Sequence, residues 1–507
     1  MDRTTSVKKG IIAGILNNVL AIILPFISRT IIIYSLGNAY VGLSGVFASI
    51  LQVLNITELG FGSAISYLLY KPIADKDTDR ICQLLSFARL SFRIIGAAVL
   101  ILGIAIIPFI DKLTTGGRPP EMNVYILYVL YLLNSVVSYF LFSYKRILFS
   151  ACQRYDIETN INTITVICQY ILQIIILLLT QNYYLYVIMM IIASIANNLL
   201  CQYETQKRYP EYICRGSISS EDKAVLVKTM KGVFASKIGA TTFSSTTNII
   251  VSSFFGLVIL GQFTNYNYIA TSLIGLFAIV HNSLRPSIGN YKIIETKENN
   301  YRLLDQISVL YNWIAAFCTC CLVCLLQDFI SLWLGADSMF PQYYAILFAA
   351  TFYFGRLNCV PNIYVEAAGL WYESKYIFFI AALTNVALGV LLVYFIGLPG
   401  ILIASILTSL LVCAGGFIYV LFHYYFNSLK LAMDYCKMMA IHFLLQSLII
   451  GLVYKGSLMI EADSWLWFFI KAILVSLGFL IFMILVSILS KKQSHKYYLY
   501  AKSFVRR

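Results

Sequence analysis

Arg29, Lys237 and Arg356 lie well inside runs of apolar residues, where water cannot solvate a charge. An ionised side chain at such depth is expensive unless it faces a polar cavity or a partner, so each is a candidate functional residue. The chemistry the three share is capture of an anion. Arginine offers a fork of N–H donors matched to phosphate or carboxylate, and lysine a compact point charge. The other reading for each is a buried carboxylate partner such as Glu58, or a stem that carries the charge to the membrane interface. Cations outnumber carboxylates at these depths, so pairing cannot neutralise all of them. Glu58, within Thr57-Glu58-Leu59-Gly60, fits two roles: carrier of a coupling proton or structural partner of a cavity arginine.

Polar residues at helical spacing extend this set. Asn18, Pro25 and Arg29 share one face at i, i+7 and i+11. Lys237, Thr241, Ser244 and Asn248 form a second stripe of the same kind. His281 and Arg285, four residues apart, share a face near a helix end, where they line a polar vestibule or anchor the end. Glu366 falls near another helix end as a structural residue, and Lys471 lies close enough to an outer end to reach the interface. Cys318, Cys320, Cys321 and Cys324 have no histidine or carboxylate company and no zinc-like spacing, which leaves them as packing residues. No carboxylate pair at metal-like spacing, His-rich helix or Gly-rich phosphate loop is present, and the chain has four histidines in all. Catalytic residues, a metal and a cofactor are therefore not expected, nor is ATP hydrolysis. Energy must come from a gradient, the membrane potential or the substrate's own disequilibrium.

The elements that position these residues are membrane helices. The 507 residues are 60% hydrophobic and 12% charged, with a mean hydropathy of +0.80. Soluble domains carry about twice that charge fraction. Apolar runs of about 20 residues recur along the whole length, the signature of an all-α polytopic membrane protein. About fourteen spans are expected, at 11–34, 42–68, 86–110, 123–144, 161–180, 185–203 and 233–255, then 262–287, 307–330, 343–367, 377–396, 400–422, 439–455 and 466–489. The net charge of +14 does not form a basic stripe, which argues against nucleic acid. It lies in the short connections of one side, and only Lys112, Arg118 and Lys455 fall in the opposite connections. By the positive-inside rule both termini are cytoplasmic. The start, Met1 to Gly10, precedes an apolar run too long for a signal peptide and lacking a small-residue cleavage site, so it leads into an uncleaved first span. The 12 cysteines fall in spans or inner connections, and no disulfide framework is expected.

A polar connection with six basic residues, 204–232, separates six-helix lobes at 1–203 and 233–422. Two further helices occupy 423–489, and a basic, Tyr-rich tail, 490–507, follows them at the inner leaflet. The two lobes look like copies. Gly37 and Gly42 recur as Gly256 and Gly261, each 219 residues later. Ala151, Tyr155 and Asp156 are echoed by Ala368, Tyr372 and Glu373, each 217 later. An even number of spans per copy makes the repeats parallel, related by a pseudo-twofold along the membrane normal. Under that symmetry the Asn18–Arg29 and Lys237–Asn248 stripes face each other across a central space, Lys237 toward the cytoplasm and Arg29 nearer the outside.

These residues also carry a family resemblance. Ser28-Arg29, Tyr34-Ser35-Leu36-Gly37, Val41-Gly42-Leu43, Glu58-Leu59-Gly60 and Leu69-Tyr70-Lys71-Pro72 resemble the N-terminal pattern of bacterial polysaccharide-unit (Wzx-type) flippases. Thr264-Asn265-Tyr266, Pro286-Ser287-Ile288-Gly289-Asn290 and Leu332-Trp333-Leu334-Gly335 continue it. These flippases belong to the multidrug/oligosaccharidyl-lipid/polysaccharide exporter superfamily. The resemblance implies two six-helix lobes in a V shape plus two C-terminal helices, working by alternating access in the bacterial cytoplasmic membrane. It implies an undecaprenyl-diphosphate-linked oligosaccharide as cargo, moved from the inner to the outer leaflet for O-antigen, capsule or a related surface polysaccharide. It also implies a polymerase and glycosyltransferases as pathway partners, and basic cavity residues for the diphosphate, which this chain offers at Arg29 and Lys237. The first span lacks the aspartate that cation-coupled drug exporters of the superfamily often carry. A cation-coupled exporter of drugs or small amphiphiles is the alternative. A membrane-embedded polysaccharide-processing enzyme is a second, set back by external loops that are short and nearly free of reactive side chains, Asp111–Met122 being the longest.

Overall fold

A bilayer core offers no water to backbone N–H and C=O groups, so long apolar runs must satisfy them internally, as helices. A computed structural model describes residues 20, 22–55, 61–119, 121–152 and 154–489. It describes the helical backbone but not the side chains at 63, 155, 220–222, 224–244, 276, 279, 282, 283, 286 and 487–489. Every regular element among the described residues is helical. Nine described helices are long and apolar enough to cross a membrane, ten if one bent pair counts as a single span. Ile22–Leu36 (α1) and Asn38–Leu54 (α2) are shorter apolar helices. The chain is a multi-pass membrane protein.

Polar residues stop and start the helices where the apolar runs end. Asp77 caps α4 (Thr78–Ile106), which follows α3 (Phe61–Asp75), by accepting from the Arg80 amide at 3.0 Å. Asn123 caps α5 (Val124–Phe140) through the amides of Tyr125 and Ile126. Each cap satisfies amides that the first helical turn leaves unpaired. After Leu141 the chain turns at Phe142, whose φ of 43° is left-handed, and α6 (Arg146–Ala151) leaves at 52° to α5. α7 (Tyr155–Thr180) and α8 (Tyr183–Arg208) form a hairpin, with Asn182 as the cap of α8. α9 (Ser220–Ile294) is interrupted at Gly256. There follow α10 (Lys297–Leu334), α11 (Gln342–Leu357), α12 (Cys359–Ala368), α13 (Ile377–Ile396), α14 (Pro399–Phe426), α15 (Leu429–Ser457) and α16 (Trp465–Leu489).

The backbone repeats itself at the offsets seen in the sequence. Gly37 (φ 99°) and Gly256 (φ 83°), 219 apart, both break a helix with a dihedral that only glycine adopts without strain. α5 ends before Leu141 and α11 before Asn358, 217 apart, and Ala151 and Ala368 close α6 and α12 at the same offset.

The chain forms two compact units: Met1–Thr264 with Phe378–Val386, and Asn265–Ile377 with Ala387–Arg507. In the first, α7 packs on α8, α8 on α5, and α5 on α4. Its core includes Leu43, Val46, Phe47, Tyr128 and Leu132, all buried, while Ile94, Ile101, Leu178 and Leu179 stand exposed as a lipid-facing surface would. α2 and α9 approach through glycines. A Cβ on Gly42 would lie 2.1 Å from the Leu257 carbonyl oxygen, and one on Gly261 would lie 2.1 Å from that of Asn38. The contact is reciprocal, since Leu257 and Gly261 are Asn38 and Gly42 shifted by 219.

In the second unit α10 is the centre, flanked by α11, α15 and α16. Here Lys471 acquires a carboxylate partner from another helix. Its Nζ lies 2.8 Å from Asp328 Oδ2 of α10, with only 7% of the lysine side chain exposed.

Candidate functional site

Arg29 sits on α1 of the first unit. Its Nη1 donates to the Thr264 carbonyl at 2.8 Å, which ties α1 to α9. The preceding Ser28 shares a 2.9 Å hydrogen bond with the Tyr186 hydroxyl of α8. Tyr186 stacks on Tyr183, Tyr183 meets Tyr40 edge-on, and the Tyr183 and Tyr131 hydroxyls are 3.0 Å apart. The guanidinium charge acts on both Tyr183 and Tyr186. All four tyrosines are buried, so they set the surroundings of the cation rather than offering ring faces to a ligand. The Thr264 carbonyl accepts from one of the five guanidinium N–H donors. Such a group can bind an oxyanion.

Asn248 of α9 donates from Nδ2 to Ser49 Oγ of α2 at 3.0 Å, a second polar link between the helices that meet at the glycines. Lys237 and Thr241 lie on the same helix, with side chains outside the described residues, and Asn18 and Glu58 fall outside them altogether.

In the second unit His281 and Arg285 of α9 converge on one carboxylate. His281 Nε2 is 3.6 Å and Arg285 Nη1 3.2 Å from Glu366 Oε2 of α12. Asn362 donates to Glu366 Oε1 at 3.3 Å, and Arg285 lies 5.7 Å from the ring centre of Trp371. The shared face expected of His281 and Arg285 thus acquires a partner from another helix. Arg356 ends α11 beside Tyr311 and Cys359, and its Nε has no hydrogen-bond partner among the described residues.

Two polar clusters were missed from sequence. Arg146, just after the bend, donates to Asn197, which in turn donates to Thr165 at 2.8 Å. His442 of α15 is 4% exposed, meets Trp313 edge-on, and has no hydrogen-bond partner on either ring nitrogen among the described residues. One turn on, Gln446 accepts from the Tyr353 hydroxyl at 2.6 Å. The signal for the second cluster was present, as a histidine and a glutamine four apart in an apolar run. The Arg146 cluster had none, because Lys145 and Arg146 looked like an ordinary basic connection.

No family profile matches the sequence, and no curated protein matches it. Solved structures do. A lipid II flippase, MurJ, in an inward closed conformation superposes with a TM-score of 0.64 at 17% identity, over 95% of this chain and 98% of that one. An inward-facing multidrug resistance transporter of the MATE family, in the MOP superfamily, gives 0.61 at 14% identity, over 82% and 95%. A eukaryotic MATE transporter gives 0.55 at 12% identity, over 83% and 96%. At these identities the likeness is one of fold.

Proposed function

We propose that the protein is a flippase that carries an undecaprenyl-diphosphate-linked oligosaccharide from the inner to the outer leaflet of a bacterial cytoplasmic membrane. The observation that carries this reading is Arg29, an intramembrane guanidinium bonded to the Thr264 carbonyl at 2.8 Å, on a fold similar to that of a lipid II flippase. A diphosphate cannot cross about 30 Å of hydrocarbon unaided. Arg29 and Lys237 lower that cost by supplying positive charge within the first unit, the arginine through fork-like contacts and the lysine as a point charge. Arg356 supplies a third cation in the second unit. The prenyl chain stays in lipid while the head group moves through a polar cavity open first to one side and then to the other. The O-antigen, capsule or other polysaccharide served, and any polymerase or glycosyltransferase partner, belong to this reading through the N-terminal resemblance alone.

The test is transfer of a fluorescent undecaprenyl-diphosphate oligosaccharide in proteoliposomes. Wild-type protein should transfer it, and Arg29→Ala with Lys237→Ala should abolish transfer while inserting normally. Normal transfer by the double variant would sink the cationic-cavity role.

A second reading, cation-coupled export of small amphiphiles, is favoured by the MATE likeness and by Glu366, a carboxylate held between His281 and Arg285. It requires transport to depend on a carboxylate such as Glu58 or Glu366. Under it Glu58→Gln or Glu366→Gln abolishes gradient-driven export and Arg29→Ala does not.

A further inference from the structure

The bend after α5 brings a second set of cations together, apart from Arg29. Arg89 and Arg93, four residues apart, project from one face of α4. Lys145 follows the left-handed Phe142, so the 52° turn directs the short segment Ser143–Lys145 against α4. A left-handed non-glycine residue is strained, and such strain gathers where a side chain has to be re-aimed. Lys145 is 5% exposed, with its ammonium 5.9 Å from the Tyr144 ring centre. Arg89 acts electrostatically on both Tyr144 and Lys145, and Arg93 acts on Tyr144.

Among the described residues no carboxylate pairs with any of the three. Other basic residues of this unit do find one: Arg215 pairs with Asp79, Arg118 with Asp111 and Arg154 with Asp156. A merely solvated basic face would account for exposed Arg93. It does not account for a lysine nearly enclosed beside two more cations.

The repeat shows that the fold does not require these charges. α4 and α10 begin 219 residues apart, with Asp77 and Thr296 as matching caps. At that offset Arg89 and Arg93 become Ser308 and Asn312. Both are buried, and α15 closes over them: the Tyr435 hydroxyl meets Ser308 at 2.9 Å, and Asn312 donates to Met439 Sδ at 3.2 Å. The same face is therefore neutral and covered in one copy, and cationic, with Arg93 exposed, in the other.

We propose that Arg89, Arg93 and Lys145 form a binding site for a phosphoryl oxyanion carried by an anionic lipid. Two guanidinium forks supply the directed donors, and the lysine ammonium lies behind them as a point charge. The oxyanion can come from an inner-leaflet phospholipid or from the diphosphate of a translocated lipid, and the two sources separate by experiment.

Purified full-length protein is titrated with fluorescent phosphatidylglycerol, with undecaprenyl diphosphate bearing no sugar, and with phosphatidylcholine as neutral control. The variants are Arg89→Gln with Arg93→Gln, and Lys145→Gln. Should the lysine variant fail to fold, the arginine pair carries the test. Loss of two cations should weaken anionic-lipid binding by roughly 10- to 30-fold and flatten its salt dependence, with phosphatidylcholine binding unchanged. Loss for phosphatidylglycerol alone identifies the phospholipid source, and loss for both supports a phosphoryl site open to either lipid. Loss for undecaprenyl diphosphate alone identifies the translocated lipid. Unchanged binding of both anionic probes by the arginine variant would overturn the proposal. Reduced lipid binding with transfer intact would support this site whatever the fate of the transport reading, which fails separately if wild-type protein transfers nothing.

Discussion

Replacing Lys471 with methionine isolates the energetics of a buried ion pair in this membrane fold. Lys471 Nζ and Asp328 Oδ2 are 2.8 Å apart, with 7% and 26% of their side chains exposed. Methionine matches the lysine stem in length and removes only the charge, which leaves Asp328 without its counter-ion between α10 and α16. Breaking a buried pair from one side costs about 3–5 kcal/mol. The partial exposure of Asp328 allows some solvation, so about 2–3 kcal/mol is expected here. Asp328→Asn should lose a comparable amount by stranding the lysine. The double variant, with neither charge, should recover most of the loss, because neutral replacement of a whole buried pair is often without penalty. The assay is a double-mutant cycle on purified protein, read from the unfolding midpoint in a denaturing detergent titration, with a coupling energy of about 2 kcal/mol expected. A Lys471→Met variant as stable as wild type would refute the reasoning. So would a double variant whose loss equals the sum of the singles, since the two side chains would then not be acting on each other.

Gly42→Ala should cost about 1–3 kcal/mol, because its Cβ would meet a backbone oxygen that cannot swing aside, and Gly45→Ala, whose nearest neighbour would be 3.4 Å away, should be near neutral in the same thermal assay. His442→Leu should be no less stable than wild type, because it removes a buried ring whose nitrogens gain no hydrogen bond from the described residues; a clear drop in melting temperature would reveal a partner for that imidazole. A cysteine at Asn38 should react with an impermeant thiol reagent added outside and one at Ser219 should not; reversed labelling would invert the topology.

What was legible in the sequence depended on whether a residue type has one physical meaning. Gly37 and Gly256 were visible as a repeated pair because a left-handed φ calls for glycine, and Gly42 and Gly261 because close helix approach does; the structure uses the first property at one pair and the second at the other. The bend at Phe142 was not legible, because a left-handed phenylalanine leaves no compositional mark. His281 and Arg285 could be placed on one face by spacing, but their partner Glu366 comes from a helix about 80 residues on, a distance over which periodicity says nothing. The same limit hid Asp328 from Lys471, so snorkelling was the natural expectation for an isolated cation near a helix end. Arg29 was legible as an intramembrane charge, whereas its backbone acceptor on α9 required the fold.

The reciprocal glycine contact bears on which residues can change independently. A surface in which Gly42 meets Leu257 while Gly261 meets Asn38 is isologous, the form that a twofold homodimer interface takes. In a homodimer such a patch is used twice, so any substitution in it strikes both sides at once. In a single chain each side can vary alone. The close approach has its glycine at both 42 and 261, while positions 89 and 93 hold arginine where 308 and 312 hold serine and asparagine.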